Sequence, residues 1–512
     1  MKKAFACILL LAFAATALCA CKGGTKKPEE NMKGGAVVVG ITQDLDSLDP
    51  HKAVAAGTRE VLYNIFEGLV KPDKDGKLVA AVAENYEIAE DGTSYTFVLR
   101  EGVKFHNGET VTADDVVYSL NRCAGRLETS DPEVQVVPAF SVISDITASK
   151  NEAGRDVITV TLSSPNTELI GYFTCNIIPK NYADQATKPI GTGPFKFESY
   201  KPMVGLVMVR NDDYYGTKAH LAKVTFSISE STDAAFLQLQ SGNIDIFPYL
   251  TVDQAEQLKD QFKIEVGDMS LVQGLFLNNA EKPFDDIRVR KAVNYAVDKQ
   301  EVLSMLNGGY GTAIGSGMYA TFGLYYDKTL ENAYPHDEAK AKELLKEAGY
   351  PDGFTFTVKV PSNYVYHVQT AEVLANQLKK VGITMKIERI EWATWISDVY
   401  KGHKHVSTIV GLDSQLAPSD ILKYYIGGSA KNFMNYTSDT FDAKYKEAMA
   451  TADTQKKVAL YHELQKCLSD DAASVFIQSP SLMVAVNRKL AGYTFYPVYV
   501  QDMATVYYID EK

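Results

Sequence analysis

Cysteine and tryptophan are scarce in this chain, and so is clustered positive charge. Of 512 residues, only six are cysteine and two are tryptophan. Acidic residues outnumber basic ones by 64 to 52, leaving a formal net charge of −12. Binding a phosphate backbone needs a basic face, so the balance argues against a nucleic-acid partner. Catalytic signatures are missing as well. The chain holds no GxSxG elbow, no HExxH pair, no phosphate loop and no CxxC. His462-Glu463 is followed by Leu464, Gln465 and Lys466, so a second zinc histidine is absent at the needed offset. The carboxylate pairs Asp114-Asp115 and Asp212-Asp213 are adjacent in sequence. On a helix or strand such neighbours point to different faces and make poor acid–base pairs. Neither an enzyme nor a cofactor is expected.

Long apolar runs are also lacking, with one exception at the start. Lys2 and Lys3 precede an uncharged stretch, residues 4–20, rich in Leu, Ile, Phe and Ala. It is slightly short for a membrane span, and its small-residue end reads as a signal peptide over residues 1–20. The end is Leu18-Cys19-Ala20-Cys21. It resembles a bacterial lipobox, in which the cysteine thiol is lipidated and becomes the new N-terminus. Cys21 is therefore the expected lipidation site, with membrane lipid holding the chain through acyl groups. Residues 21–35 carry Lys, Gly, Glu and Pro without apolar periodicity, as a flexible tether would. The expected location is outside the cytoplasm, anchored on the periplasmic or the cell-surface side. Cys123, Cys175 and Cys467 then remain, too few and too scattered for a disulfide framework, though one bridge stays open.

What is present suits a folded chain of two or three lobes: 46% hydrophobic and 23% charged residues. Tyrosine is plentiful at 30 residues and offers flat apolar area with one hydroxyl. Residues 36–41 form a valine-rich strand, and residues 95–100 and 157–162 alternate as strands do. Thr112 precedes Asp115 by three, a capping-box variant, and Val116, Val117 and Leu120 follow at helical spacing. Residues 234–240 read as a helix feeding a strand at 244–247. Val289, Ala292, Val293, Ala296 and Leu303 share one helical face. Ala341, Leu344, Leu345 and Ala348 repeat that pattern until Gly349 stops it. A helix over 369–381 leads into an alternating strand over 383–390. Helix–strand alternation implies α/β lobes with mixed sheets.

Five segments carry a resemblance: DGTSYTFVLREGVKFHNGETVTADDVVYSLNR over residues 91–122, IGTGPFKFESY over 190–200 with RNDDYYG from 210, QSGNIDI over 240–246, NNAEKPFDDIRVRKAVNYAVDKQEVL over 278–303, and AKELLKEAGYPDGF over 339–354. In kind and order they resemble the extracellular solute-binding proteins of family 5, which serve dipeptide, oligopeptide and nickel ABC importers. The resemblance implies a two-lobed α/β fold of the periplasmic-binding-protein type, type II, with mixed sheets, a hinge and an extra subdomain. Lobe I would combine residues 36–60, 189–271 and 480–512. Residues 61–188 would form the extra subdomain, and residues 272–479 lobe II. Gly191, Gly193 and Pro194 would shape a bend between domains. Arg288 and Arg290 would lie solvated or paired on a helix's outer face. His106 reads as a structural histidine beside the Asn107-Gly108 hairpin turn.

The same resemblance implies a peptide solute, an oligopeptide in the family's manner, held between the lobes and passed to ABC permease subunits with cytoplasmic ATPases.

 Asp46, Ser47 and Leu48 would form one wall. Residues 272–274, expected as a turn around Gln273, would form a second, and Gln478 would lie beside it. Residues 411–418 would form the third, with Gly411, Leu412, Asp413 and Ser414 at its start. Trp392 and Trp395 would either pack in the core or face the ligand. Dipeptide and oligopeptide binders carry Gly-Trp and then an Asp that pairs with the peptide ammonium. Here Leu412 replaces the tryptophan. The anchor is Asp413, or Ser414 stands in its place, according to a one-residue shift. Residues 364–370 contain no arginine for a peptide carboxylate. A longer or blocked peptide is thus expected over a free dipeptide, with an oligosaccharide or a nickel chelate as alternatives. His403 and His405 would share one face of a strand. They would form either a solvated edge or a metal site.

Overall fold

The structure is a computed structural model that describes residues 34–509, apart from 129–130, 415, 497 and 499. The signal segment, Cys21 and the tether as far as residue 33 lie outside the described residues. Ala36–Ile41 is a strand inside a seven-stranded sheet. It pairs in parallel with Lys223–Ile228 on one side and Ile246–Phe247 on the other. Val37 and Val39 are fully covered there, as suits a central strand. Gly205–Arg210 and Phe195–Lys201 extend one flank antiparallel, and Ser481–Asn487 and Phe262–Asp268 extend the other.

A second mixed sheet has six strands. Their order is Thr312–Ala313, Val475–Ser479, Val272–Leu277, Ser407–Leu412, Thr355–Pro361 and Thr384–Ile390. The chain passes between the two sheets twice. Phe262–Asp268 leads into Val272–Leu277, and Val475–Ser479 leads into Ser481–Asn487. Pro480 alone separates the latter two strands. Proline has no N–H to give a ladder, so pairing is interrupted there. The two crossings lie side by side: Met269 N–H donates to the Pro480 carbonyl at 2.8 Å, and Ser479 Oγ donates to the Met269 carbonyl at 2.5 Å.

A four-stranded antiparallel sheet combines Ala83–Ile88, Ser94–Leu99, Asp156–Leu162 and Ile143–Lys150. Helix Ala113–Cys123 packs on it and starts with the full Thr112–Asp115 capping box. This sheet has its own core, which includes Leu69, Tyr95, Phe97 and Phe173. Val61, Leu62, Ile65 and Phe66 pack instead with Val37 and Val39. These four side chains thus share the core of the seven-stranded sheet.

Several local expectations need correction. Leu303 does not continue the helix of Val289. That helix is Ile287–Ala296, and a new one, Lys299–Asn307, starts at Asp298, whose carboxylate accepts from Gln300 and Glu301 N–H. Arg290 is not on an outer face. It is 7% exposed and donates to the Phe284, Asp471 and Ala472 carbonyls. Arg288 is exposed and pairs with Asp286. Gly191 is required for close approach and not for a left-handed backbone: a Cβ there would lie 2.1 Å from the Ile65 carbonyl oxygen. Residues 272–274 are strand, not turn. His403 and His405 precede strand Ser407–Leu412, and His403 has a φ of 52°. They do not share a strand face. His403 Nδ1 lies 2.9 Å from Asn435 Oδ1, while His405 is 6% exposed and forms no solvated edge. Cys123, Cys175 and Cys467 are free thiols.

Candidate functional site

Strand Ser407–Leu412 is central in the six-stranded sheet and ends at a loop that turns toward the rest of the molecule. Helix Ala56–Leu62 comes from the opposite side, with its buried face on the seven-stranded sheet. Between them lies a cavity of about 170 Å³. Its charged lining is Arg59, Glu67, Lys71 and Asp413, and Asn176 and Ser414 add polar atoms. Most of the remaining wall is apolar, including Leu62, Phe66, Val70 and Leu416. Larger clefts occur elsewhere. One of about 370 Å³ lies beside Lys299 and His336, and one of about 360 Å³ beside Arg100 and Tyr215. Neither draws its lining from both large sheets' surroundings, as the Asp413 cavity does.

Asp413 is accessible to water, yet protein crowds it on most sides. Burial pushes its carboxyl above the usual carboxylate range, and the Arg59 charge partly opposes that rise. Glu67 has many donors: Tyr214 Oη at 2.6 Å, Tyr215 Oη at 2.8 Å and Lys71 Nζ at 2.8 Å. Burial acts to lower the Lys71 ammonium, but the Glu67 charge together with Tyr214 and the hydrogen bonds to both raises the group overall. Glu67 and Lys71 thus neutralise each other. Ser414 Oγ lies 2.8 Å from Tyr319 Oη.

Of the residues expected at the ligand, Asp413 and Ser414 reach this cavity. Others have different surroundings. Gln273 and Gln478 are both fully buried. Gln478 Nε2 donates to Gln273 Oε1 at 2.7 Å, and Gln273 Nε2 contacts His367 Nδ1 at 2.8 Å and Thr370 Oγ1 at 3.0 Å. Asn307 Nδ2 satisfies Gln478 Oε1 at 2.8 Å. These amides are committed to a network inside the six-stranded sheet's packing and do not line the cavity. Leu412 is 6% exposed in a core cluster, and a Cβ on Gly411 would lie 2.6 Å from Leu271. Leu48 also belongs to a core. Asp46 accepts from Val54 and Ala55 N–H, and Ser47 Oγ accepts from Asp49 N–H, so both shape the loop before helix Ala56–Leu62. Trp395 is buried and donates Nε1–H to Thr408 Oγ1 at 2.9 Å. Trp392 stacks on it at 4.9 Å and meets Tyr364 edge-on at 5.4 Å. Trp392 remains partly open to solvent but does not line this cavity.

Sequence reasoning missed Arg59, Glu67, Lys71 and Asn176. Arg59 lies in helix Ala56–Leu62 and Glu67 and Lys71 shortly after it, whereas Asn176 comes from a distant segment, so no local signal joins them.

Two mixed α/β lobes, joined by paired crossings and enclosing a charged cavity, define a two-lobed binding fold. Residues 77–433 match the model described as bacterial extracellular solute-binding proteins, family 5 Middle, and the chain belongs to that family. It is 26% identical over 456 residues to the dipeptide-binding protein of Escherichia coli, covering 82% of this chain and 84% of that one. It is 27% identical over 492 residues to the glutathione-binding protein GsiB of Pectobacterium atrosepticum, covering 91% and 92%. Among solved structures, it is similar to DppA from Helicobacter pylori in complex with the peptide STSA. That match has a TM-score of 0.76 and 27% identity, over 93% of this chain and 98% of that chain. Among the described residues, no helix is long and apolar enough to cross a membrane.

Proposed function

We propose that this chain is the solute-capturing component of an ABC importer, and that it takes short peptides into the Asp413 cavity and presents them to membrane permease subunits. The carrying observation is Asp413: a carboxylate crowded by protein on most sides of the cavity, without an ion pair to another described residue and with only the more distant Arg59 and Lys423 charges acting on it. Such a group is costly unless a cation pairs with it, and a peptide ammonium supplies one. Ser414 offers a hydroxyl beside it. The dipeptide-binding relative and the peptide complex of the H. pylori protein support this choice of solute.

In this reading the seven-stranded and six-stranded sheets organise the two lobes, and the four-stranded sheet is the extra subdomain. The paired crossings at residues 269–271 and 480 act as the hinge. Closure over solute then shifts the population toward the form that the permease reads. The chain binds and releases without chemical turnover. Cys21 lipidation keeps it at the outer side of a membrane.

Native mass spectrometry of the purified protein tests this reading. Co-purifying masses that fragment as peptides are expected. A sugar, a metal chelate, or an empty cavity that ignores added peptides would sink the peptide assignment.

A further inference from the structure

Four charged side chains line the cavity, and two of them are spent on each other. Lys71 and Glu67 form an ion pair at 2.8 Å, with tyrosine hydroxyls completing the carboxylate. Arg59 and Asp413 remain. Neither side chain forms a hydrogen bond or ion pair with another described residue. They come from opposite walls. Arg59 projects from the open side of helix Ala56–Leu62, whose other face packs on the seven-stranded sheet. Asp413 follows the central strand Ser407–Leu412 of the six-stranded sheet.

Arg59 is exposed and keeps its water, whereas protein crowds Asp413 and raises its carboxyl, which the Arg59 charge offsets only in part. A neutral solute would displace water from Asp413 and leave it only the more distant Arg59 and Lys423 charges. A solute with only an ammonium would satisfy Asp413 and leave Arg59 alone. A solute carrying one ammonium and one carboxylate satisfies both, and the planar fork of Arg59 suits a carboxylate. The cavity, at about 170 Å³, also favours a short solute.

We propose that Arg59 is the carboxylate-binding group of this cavity, acting with Asp413 across it, so that the solute is a short peptide with both ends free. The inference rests on the peptide reading above. It reverses the expectation of a longer or blocked peptide, which followed from the missing arginine at residues 364–370. The cation is supplied from the opposite lobe.

The test is calorimetry with the purified full-length protein and three peptide pools. One pool holds dipeptides and tripeptides with free ends, the second is the same pool amidated at the C-terminus, and the third is acetylated at the N-terminus. Wild type is expected to bind the free pool about 10-fold or more tightly than either blocked pool. Arg59→Gln should lose the preference for free over amidated peptides and keep the preference for free over acetylated ones. Arg59→Lys should recover part of the lost preference. Asp413→Asn should show the opposite pattern. Arg59 is exposed, so its variants should keep the wild-type denaturation midpoint, which is checked alongside. If wild type binds free and amidated pools equally, or Arg59→Gln still discriminates between them, the carboxylate assignment fails while the peptide reading stands. If wild type binds none of the pools, the peptide reading fails and takes this inference with it.

Discussion

At the scale of single residues, burial separates two arginines that stand two positions apart. Arg288 is exposed and makes an ion pair with Asp286. Arg290 is buried and donates to three carbonyls, those of Phe284, Asp471 and Ala472. A surface pair contributes little, whereas a lost buried donor leaves its acceptors unsatisfied. Arg290→Met keeps much of the apolar stem but removes every donor. Urea denaturation should show a loss of about 3 kcal/mol or more for this variant. Arg288→Met should leave the midpoint almost unmoved. Equal effects from the two substitutions would contradict this account.

At the scale of elements, the loop carrying Asp413 is held at a second place. Helix Pro418–Leu422 follows it and meets the subdomain around Glu168. Glu168 Oε2 accepts from Ser419 N–H at 3.0 Å, its other oxygen accepts from Tyr461, and Lys457 Nζ lies 3.6 Å away. Tyr172 Oη donates to Asp420 Oδ1 at 2.6 Å in the same region. These contacts join the segment of the four-stranded sheet to that of the six-stranded sheet, away from the paired crossings, so under the proposed hinge they would favour the closed arrangement. Removing Glu168 alone would strand the buried Lys457 charge. The double variant Glu168→Ala/Lys457→Met removes both. Small-angle scattering of the solute-free protein should give it a larger radius of gyration than wild type. An unchanged radius in a normally stable double variant would rule out this holding role for the Glu168 contacts.

The elements themselves were readable from the sequence. Capping at Thr112, valine runs and period-two alternation are local signals, and the corresponding helix and strands form. The separation of Val289 from Leu303 was less visible, because both fit one helical period and the interruption depends on Asp298 capping a new helix. Gln273 was expected at the ligand through the family resemblance, yet its partners His367, Thr370 and Gln478, all from distant segments, hold it in a buried network. Arg59 lacked a local signal for the same reason: its significance comes from Asp413, hundreds of residues later, across the cavity.

At the scale of the whole molecule, stability and solute capture depend on pH through different groups. Burial pushes His106, His367 and His405 down to about 4. An unfolded histidine titrates near 6.5. Between these values the unfolded chain binds more protons, so each histidine makes stability fall as pH drops from about 6.5 to about 4. Glu60 acts oppositely: burial pushes it up to about 7, so it favours the folded state as pH falls toward its unfolded value. His51 is also raised, despite its burial, and its contribution likewise diminishes as pH rises. A variant isolates one contribution from this mixture. Both ring nitrogens of His405 are buried without a hydrogen-bond partner among the described residues. His405→Leu should therefore cost little near pH 8 and gain on wild type as pH falls from 6.5 to 4, by up to about 3 kcal/mol. Urea denaturation at several pH values measures that difference. A gap that stays constant with pH would show that His405 does not titrate differently in the folded and unfolded chain. Peptide affinity should follow another group. The raised Asp413 carboxyl loses its charge as pH falls, so capture of a free amino end should weaken in His405→Leu as in wild type, even where the variant is the more stable of the two.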